Sequence, residues 1–137
     1  MFNQAKKMVQ YPLLIAIFMT LVRFYLECLG IPEHFIFWIG LLWLSLAVSV
    51  YWGIKLNNQP KSYATILVAL LIFSPISRLP VAIAWWVDTE YQLGTHYGWY
   101  FDSFSQVLLN QIIYGSLVQL IPSLILASFV IFIANKT

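Results

Sequence analysis

Charge is the scarcest ingredient of this chain. Asp, Glu, Lys and Arg make up only 9% of the 137 residues, against about 25% in an ordinary soluble domain. That deficit argues against a water-facing globule. Cysteine is nearly absent as well, Cys28 standing alone. One thiol cannot close an internal disulfide or make a dithiol centre. Glu27 directly before it is at odds with a lipoprotein-type processing site. The chain has no glycine-rich phosphate loop, no nucleophile elbow and no H-E-x-x-H pair. Gly94 and Gly98 fit turns. No catalytic motif stands out, so the reading leans away from an enzyme; no cofactor is expected, and a net charge of +2 offers no footprint for nucleic acid.

What is present is apolar sequence in long runs. Hydrophobic residues reach 61%, in stretches of roughly 20, the length that crosses a hydrocarbon core of about 30 Å. The runs lack the period-two alternation of barrel strands. The reading is an all-α integral membrane protein, a four-transmembrane-helix bundle forming one polytopic domain over residues 1–137. The expected spans are 11–31, 35–53, 63–87 and 104–134, with an outer loop over 88–103. Pro12 falls in the first turn of the first span, where proline is tolerated, and Gly30 and Pro32 close it. Asn57, Asn58, Gln59 and Pro60 make a polar turn. Pro75 and Pro80 are expected to interrupt the third helix, leaving the carbonyls of Leu71 and Ile76 in need of donors such as Ser74 and Ser77. Ser103 and Gln106 have capping-box spacing at the start of the fourth. Pro122 lies inside it.

The sign of charge is segregated. In a four-span arrangement Lys6, Lys7, Lys55, Lys61 and Lys136 fall on one side. Glu27, Glu33, Asp88, Glu90 and Asp102 fall at or near the other. Lysine bias retains its side in the cytoplasm, so both termini are expected inside. Tyr11, Tyr51, Trp52 and Tyr63 mark the inner interface, and Trp38, Trp85, Trp86 and Trp99 the outer. The first apolar run is too long for a signal peptide and no small-x-small site follows, so it is expected to be a retained helix. A bacterial inner membrane is the expected location.

Two arginines lie within spans. Arg23 is ~18 Å beyond Tyr11, and Arg78 ~22 Å beyond Tyr63, at 1.5 Å per residue. A central charge costs about 2.5–3.5 kcal/mol on insertion scales, so each needs a partner. Glu27 is one turn from Arg23, in the less favourable order for such a pair. Arg23, Glu27 and Arg78 are expected to converge with Gln106 or Asn110 as an ion-pair or ligand site. Gln106, Asn110 and Tyr114 form one ridge of the fourth helix; Gln111, Gly115, Gln119 and Ser123 form another. Buried amides act as interhelical glue. Ser45, Ser49 and Gly53 repeat at small-xxx-small spacing and, with Gly115, are expected at helix contacts. His34 and His96 are weak candidates for a metal or haem.

Three functional classes follow. The first is a non-catalytic accessory subunit of a membrane assembly, or a homo-oligomer, with the bilayer and other subunits as partners. The second is a binder or transporter of an anionic or amphipathic ligand, such as a lipid, at Arg23 and Arg78. The third is a membrane redox protein using His34 and His96.

Overall fold

The computed structural model describes residues 2–36, 39–92 and 103–136, apart from the side chains of Glu33, Ile36 and Lys136. The described residues are helical and contain no strand. Helix α1 covers Phe2–Cys28, a short α2 covers Glu33–Ile36, and α3 covers Leu41–Leu56. Helix α4 covers Ser62–Tyr91. The last long helix begins as α5, Phe104–Leu109, widens into a π turn over Asn110–Gly115, and continues as α6, Ser116–Lys136.

Three helices are long and apolar enough to cross a membrane: Phe2–Cys28, Ser62–Tyr91 and Phe104–Asn135. Helix α3 is apolar but has only 16 residues, ~24 Å at 1.5 Å per residue. It starts six residues later than the sequence suggests. The reason lies in Gly40, which caps α3 in an extended conformation at φ −141° and separates it from α2.

Helix α1 starts at Phe2, well before Tyr11, so Pro12 sits inside it and not in its first turn. The added turns are held by packing, since Ala5 and Val9 are buried in the main core beside Leu56 and Ile66. Gly30, at φ +82°, ends the helix by returning Ile31 N–H to the Leu26 carbonyl at 3.2 Å. This is the closure that a left-handed glycine permits.

The third expected span is not interrupted. Helix α4 runs through both Pro75 and Pro80. It also continues past Val87 to Tyr91, so Asp88 belongs to a helix and not to a loop. Gln92, left-handed at φ 52°, stops it by donating its backbone N–H to the Asp88 carbonyl. Ser77 sends its hydroxyl to the Ser74 carbonyl at 3.0 Å, and not to the carbonyls that the prolines release.

Helix α4 is the hub. It packs along α1, along the π turn and α6, and more lightly on α3. Helix α3 in turn lies along α6. The buried stripes follow from spacing. Helix α1 buries Ala5, Val9, Ala16 and Thr20. Helix α3 turns in Leu41, Ser45, Ser49 and Gly53, and α6 turns in Gln119, Ser123, Ala127 and Ile131. All are steps of four or seven, one helical face each. The α3 stripe meets α6 closely: a Cβ on Gly53 would stand 2.9 Å from Val130 Cγ1 and 3.2 Å from the Ala127 carbonyl.

The interior holds small polar residues beside its apolar core, while much of the outside is apolar. Ser45, Ser49, Ser74, Ser77, Gln119 and Ser123 are fully buried. Leu14, Phe18, Leu21, Ile121, Ile125 and Phe129 are exposed. A soluble fold has the opposite distribution, and so large an exposed apolar surface marks contact with lipid or protein.

Candidate functional site

The buried hydroxyls mostly look inward to their own helices. Ser45 donates to the Leu41 carbonyl at 2.8 Å, Ser49 to Ser45 at 2.7 Å, Thr20 to Ala16 at 3.0 Å and Ser123 to Gln119 at 2.6 Å. This back-bonding leaves a small, satisfied side chain at the contact. It favours close helix approach and uses no bond between helices.

Bonds between α4 and the last helix converge at Gln119. Its Oε1 accepts from Arg78 Nε at 2.8 Å, and its Nε2 donates to Ser77 Oγ at 3.1 Å. Arg78 Nη1 donates to Gln111 Oε1 at 3.3 Å. The guanidinium is partly buried, so charge-assisted bonds to amide oxygens offset part of the water it loses. Gly115 completes the cradle. A Cβ there would lie 3.4 Å from Arg78 Cζ and Nε and 3.3 Å from Gln111 Oε1.

The π turn sets this geometry. Ser116 N–H reaches back to the Gln111 carbonyl, a span of five residues. The Ser116 hydroxyl also donates to that carbonyl at 3.3 Å. Gln111 therefore anchors the wide turn with its backbone and Arg78 with its side chain. Such turns recur at functional sites within α-helices.

The other expected site residues fall as follows. Arg23 and Glu27 are half-buried on α1. Arg23 Nη1 donates to the Ile39 carbonyl at 3.3 Å, which ties α1 to the segment before α3. Asp88 is buried, and it and Glu27 lie within electrostatic reach of exposed Cys28. Gln106 is exposed, its backbone N–H bonded to the Ser103 hydroxyl at 3.2 Å. Asn110 is half-buried where the π turn opens. Gln111, Gly115 and Gln119 are the residues that Arg78 is seen to meet. Their common ridge was visible in the sequence. The further clue was an amide flanked four residues away on each side by Gly115 and Ser123, small residues that let another helix approach.

Ser45, Ser49 and Gly53 are buried and Gly115 is half-buried. His34 is exposed on α2, its ring 4.2 Å from that of Phe35. His96 lies outside the described residues, as do Trp38, Gly94, Gly98, Trp99 and Asp102. Among the described residues no group of three or more His, Cys, Asp or Glu could hold a metal ion.

Amide oxygens accept hydrogen bonds without exchanging protons near neutral pH. The Arg78 network is thus suited to holding two helices in register. Its two serines differ in a measurable way. Ser74 Oγ is buried without a hydrogen-bond partner among the described residues, whereas Ser77 Oγ accepts from Gln119. Ser74→Ala should be neutral or slightly stabilising, and Ser77→Ala should cost about 1 kcal/mol. Thermal denaturation in detergent measures both, and equal effects would contradict the asymmetry.

No protein-family model matches the chain, and no curated protein or solved structure is detectably similar to it.

Proposed function

We propose that the chain is a non-catalytic, multi-pass membrane protein that serves as a packing subunit of a larger membrane assembly or of a homo-oligomer. The reading includes four membrane-crossing segments, both ends in the cytoplasm, and a bacterial inner membrane. One observation supports it above the rest: Arg78, Gln119 and Ser77 bond with one another between helices, while the outward faces of the long helices remain apolar. Such faces suit lipid and neighbouring helices. Purification from native membranes in mild detergent, with mass measured by light scattering, tests the assembly. A stoichiometric partner or a defined oligomer supports it; a bare monomer in both mild detergent and nanodiscs rejects it.

Topology is tested separately. Cys28 is exposed at the end of α1 and should react with an impermeant maleimide applied to intact cells. A reporter fused after Thr137 should be active only in the cytoplasm. A fusion active only outside overturns the orientation.

A second reading, capture of an anionic or amphipathic ligand at the level of Arg23 and Arg78, draws on the π turn beside Arg78. Mass spectrometry of the purified protein addresses it. An anion retained by the protein and lost in Arg78→Ala, with the fold intact, would favour this reading over the first.

A further inference from the structure

A cleft of about 630 Å³ opens between the first half of α1 and the second half of α3. It is far along α1 from Arg23 and within the 300–1,000 Å³ range of ligand sites. Its two walls carry the same gradient of polarity. On α1 the lining passes from Lys7 to Tyr11 to Ile15, one helical turn per step. On α3 it passes from Lys55 to Tyr51 to Val48, again about one turn per step. The helices run antiparallel, so the two gradients coincide: ammonium groups at the mouth, phenols next, and aliphatic carbon farthest from the lysines. Buried Trp52 also lines the cleft.

We propose that this cleft binds an anionic glycerophospholipid from the lysine-side leaflet. The phosphate sits between Lys7 and Lys55, the glycerol and ester region lies beside Tyr11 and Tyr51, and one acyl chain runs down toward Ile15 and Val48. Each level of the lipid meets its match on both walls. The charge argument is equally direct. The chain has no Asp or Glu from residue 1 to 26 or from 34 to 87, so neither wall carries an acid to compete for the ammonium groups. Lys55 is steered by Tyr51, with Nζ 3.4 Å from its hydroxyl and 5.5 Å from its ring centroid. Gln4 Nε2 donates to Gln59 Oε1 at 2.9 Å across the mouth, fixing α1 against the turn after α3. A lipid with a choline headgroup would bring a cation toward two lysines. Discrimination by headgroup charge is therefore expected.

The inference rests on the membrane reading, and the test separates the two. The intact protein is inserted into nanodiscs, and it is also titrated in detergent with dioleoylphosphatidylglycerol or dioleoylphosphatidylcholine, with bound lipid counted by native mass spectrometry. The first phosphatidylglycerol should bind at least about tenfold more tightly than phosphatidylcholine. A lysine near an anionic surface contributes roughly a fivefold factor. Lys7→Gln with Lys55→Gln should then erase the preference. Lys61→Gln, an exposed lysine outside the cleft, should preserve it. Equal binding of the two lipids by a well-inserted protein overturns the cleft and leaves the membrane reading standing. An equal loss in Lys61→Gln overturns it in favour of diffuse surface charge. Displacement of the lipid by inorganic phosphate alone overturns the lipid as occupant. Failure to insert at all overturns both readings.

Discussion

Gly53→Leu should abolish a monodisperse folded protein, and Gly53→Ala should lower its melting temperature. The cause is distance. Even a methyl group at position 53 would meet Val130 Cγ1 at 2.9 Å and the Ala127 carbonyl at 3.2 Å. Val130 can turn, but the carbonyl belongs to the α6 backbone and moves only with the helix. Overpacking of this kind typically costs about 1–3 kcal/mol for a small group, and leucine adds three more carbons. Helices α3 and α6 would have to separate along their whole contact, because Ser45 and Ser49 lie on the same stripe. Heating followed by size-exclusion chromatography reads the loss. Trimming the obstacle with Val130→Ala should restore part of the stability of Gly53→Ala. If Gly53→Ala melts like the parent protein, the close approach of α3 and α6 is wrong.

The second large effect is expected at Gln119. Replacing it with leucine removes the acceptor of Arg78 Nε and the donor to Ser77 together. Neutral interhelical bonds in membrane proteins average only ~0.6 kcal/mol. A bond to a charged group is worth about 1.5–3 kcal/mol. The charged partner decides the size, and Gln119→Leu should lose about 2 kcal/mol. Arg78→Leu should lose a similar amount for the reciprocal reason. The informative quantity is their coupling. Once the guanidinium is gone, losing the amide matters less, so the double variant should fall short of the sum by about 1 kcal/mol. Strict additivity in reversible detergent unfolding would show that the two side chains do not act together. Gln119→Glu offers a check, since its carboxylate can still accept from Arg78 and should retain most of the coupling.

Much of the fold was legible because long apolar runs and helix packing leave coarse marks. Runs of apolar residues announced long helices, and Gly30 with Pro32 announced the end of α1. Three features were not legible, each for a physical reason. Proline in a helix has two outcomes: the helix breaks, or it continues with a missing bond, and tertiary contacts decide between them. Around Pro75 and Pro80, buried Phe73, Ser74, Ser77 and Ala82 hold α4 together. The late start of α3 depended on Gly40 adopting an extended conformation, and the apolar residues on either side of it do not reveal this. The π turn left no mark in the sequence beyond Gly115. The candidate site was half legible for a related reason. Both arginines and the two amide ridges could be read from spacing. Which ridge faces α4 could not, because the wide turn rotates the residues after it. Gln111 and Gln119 thus meet Arg78, whereas the sequence reading points to Gln106 and Asn110.

That wide turn also changes what chain length means in this protein. A turn closed from residue 116 to residue 111 holds one residue more than the α turn it replaces. Losing Ile112 would tighten the turn while keeping Gln111, and would leave the faces on either side where they are. The same loss in the middle of α3 would swing every later residue by about 100° and carry Gly53 off α6. The last helix therefore contains a length buffer. A single-residue deletion can be absorbed there without disturbing the register of the bundle, and no other long helix has such a turn among its described residues.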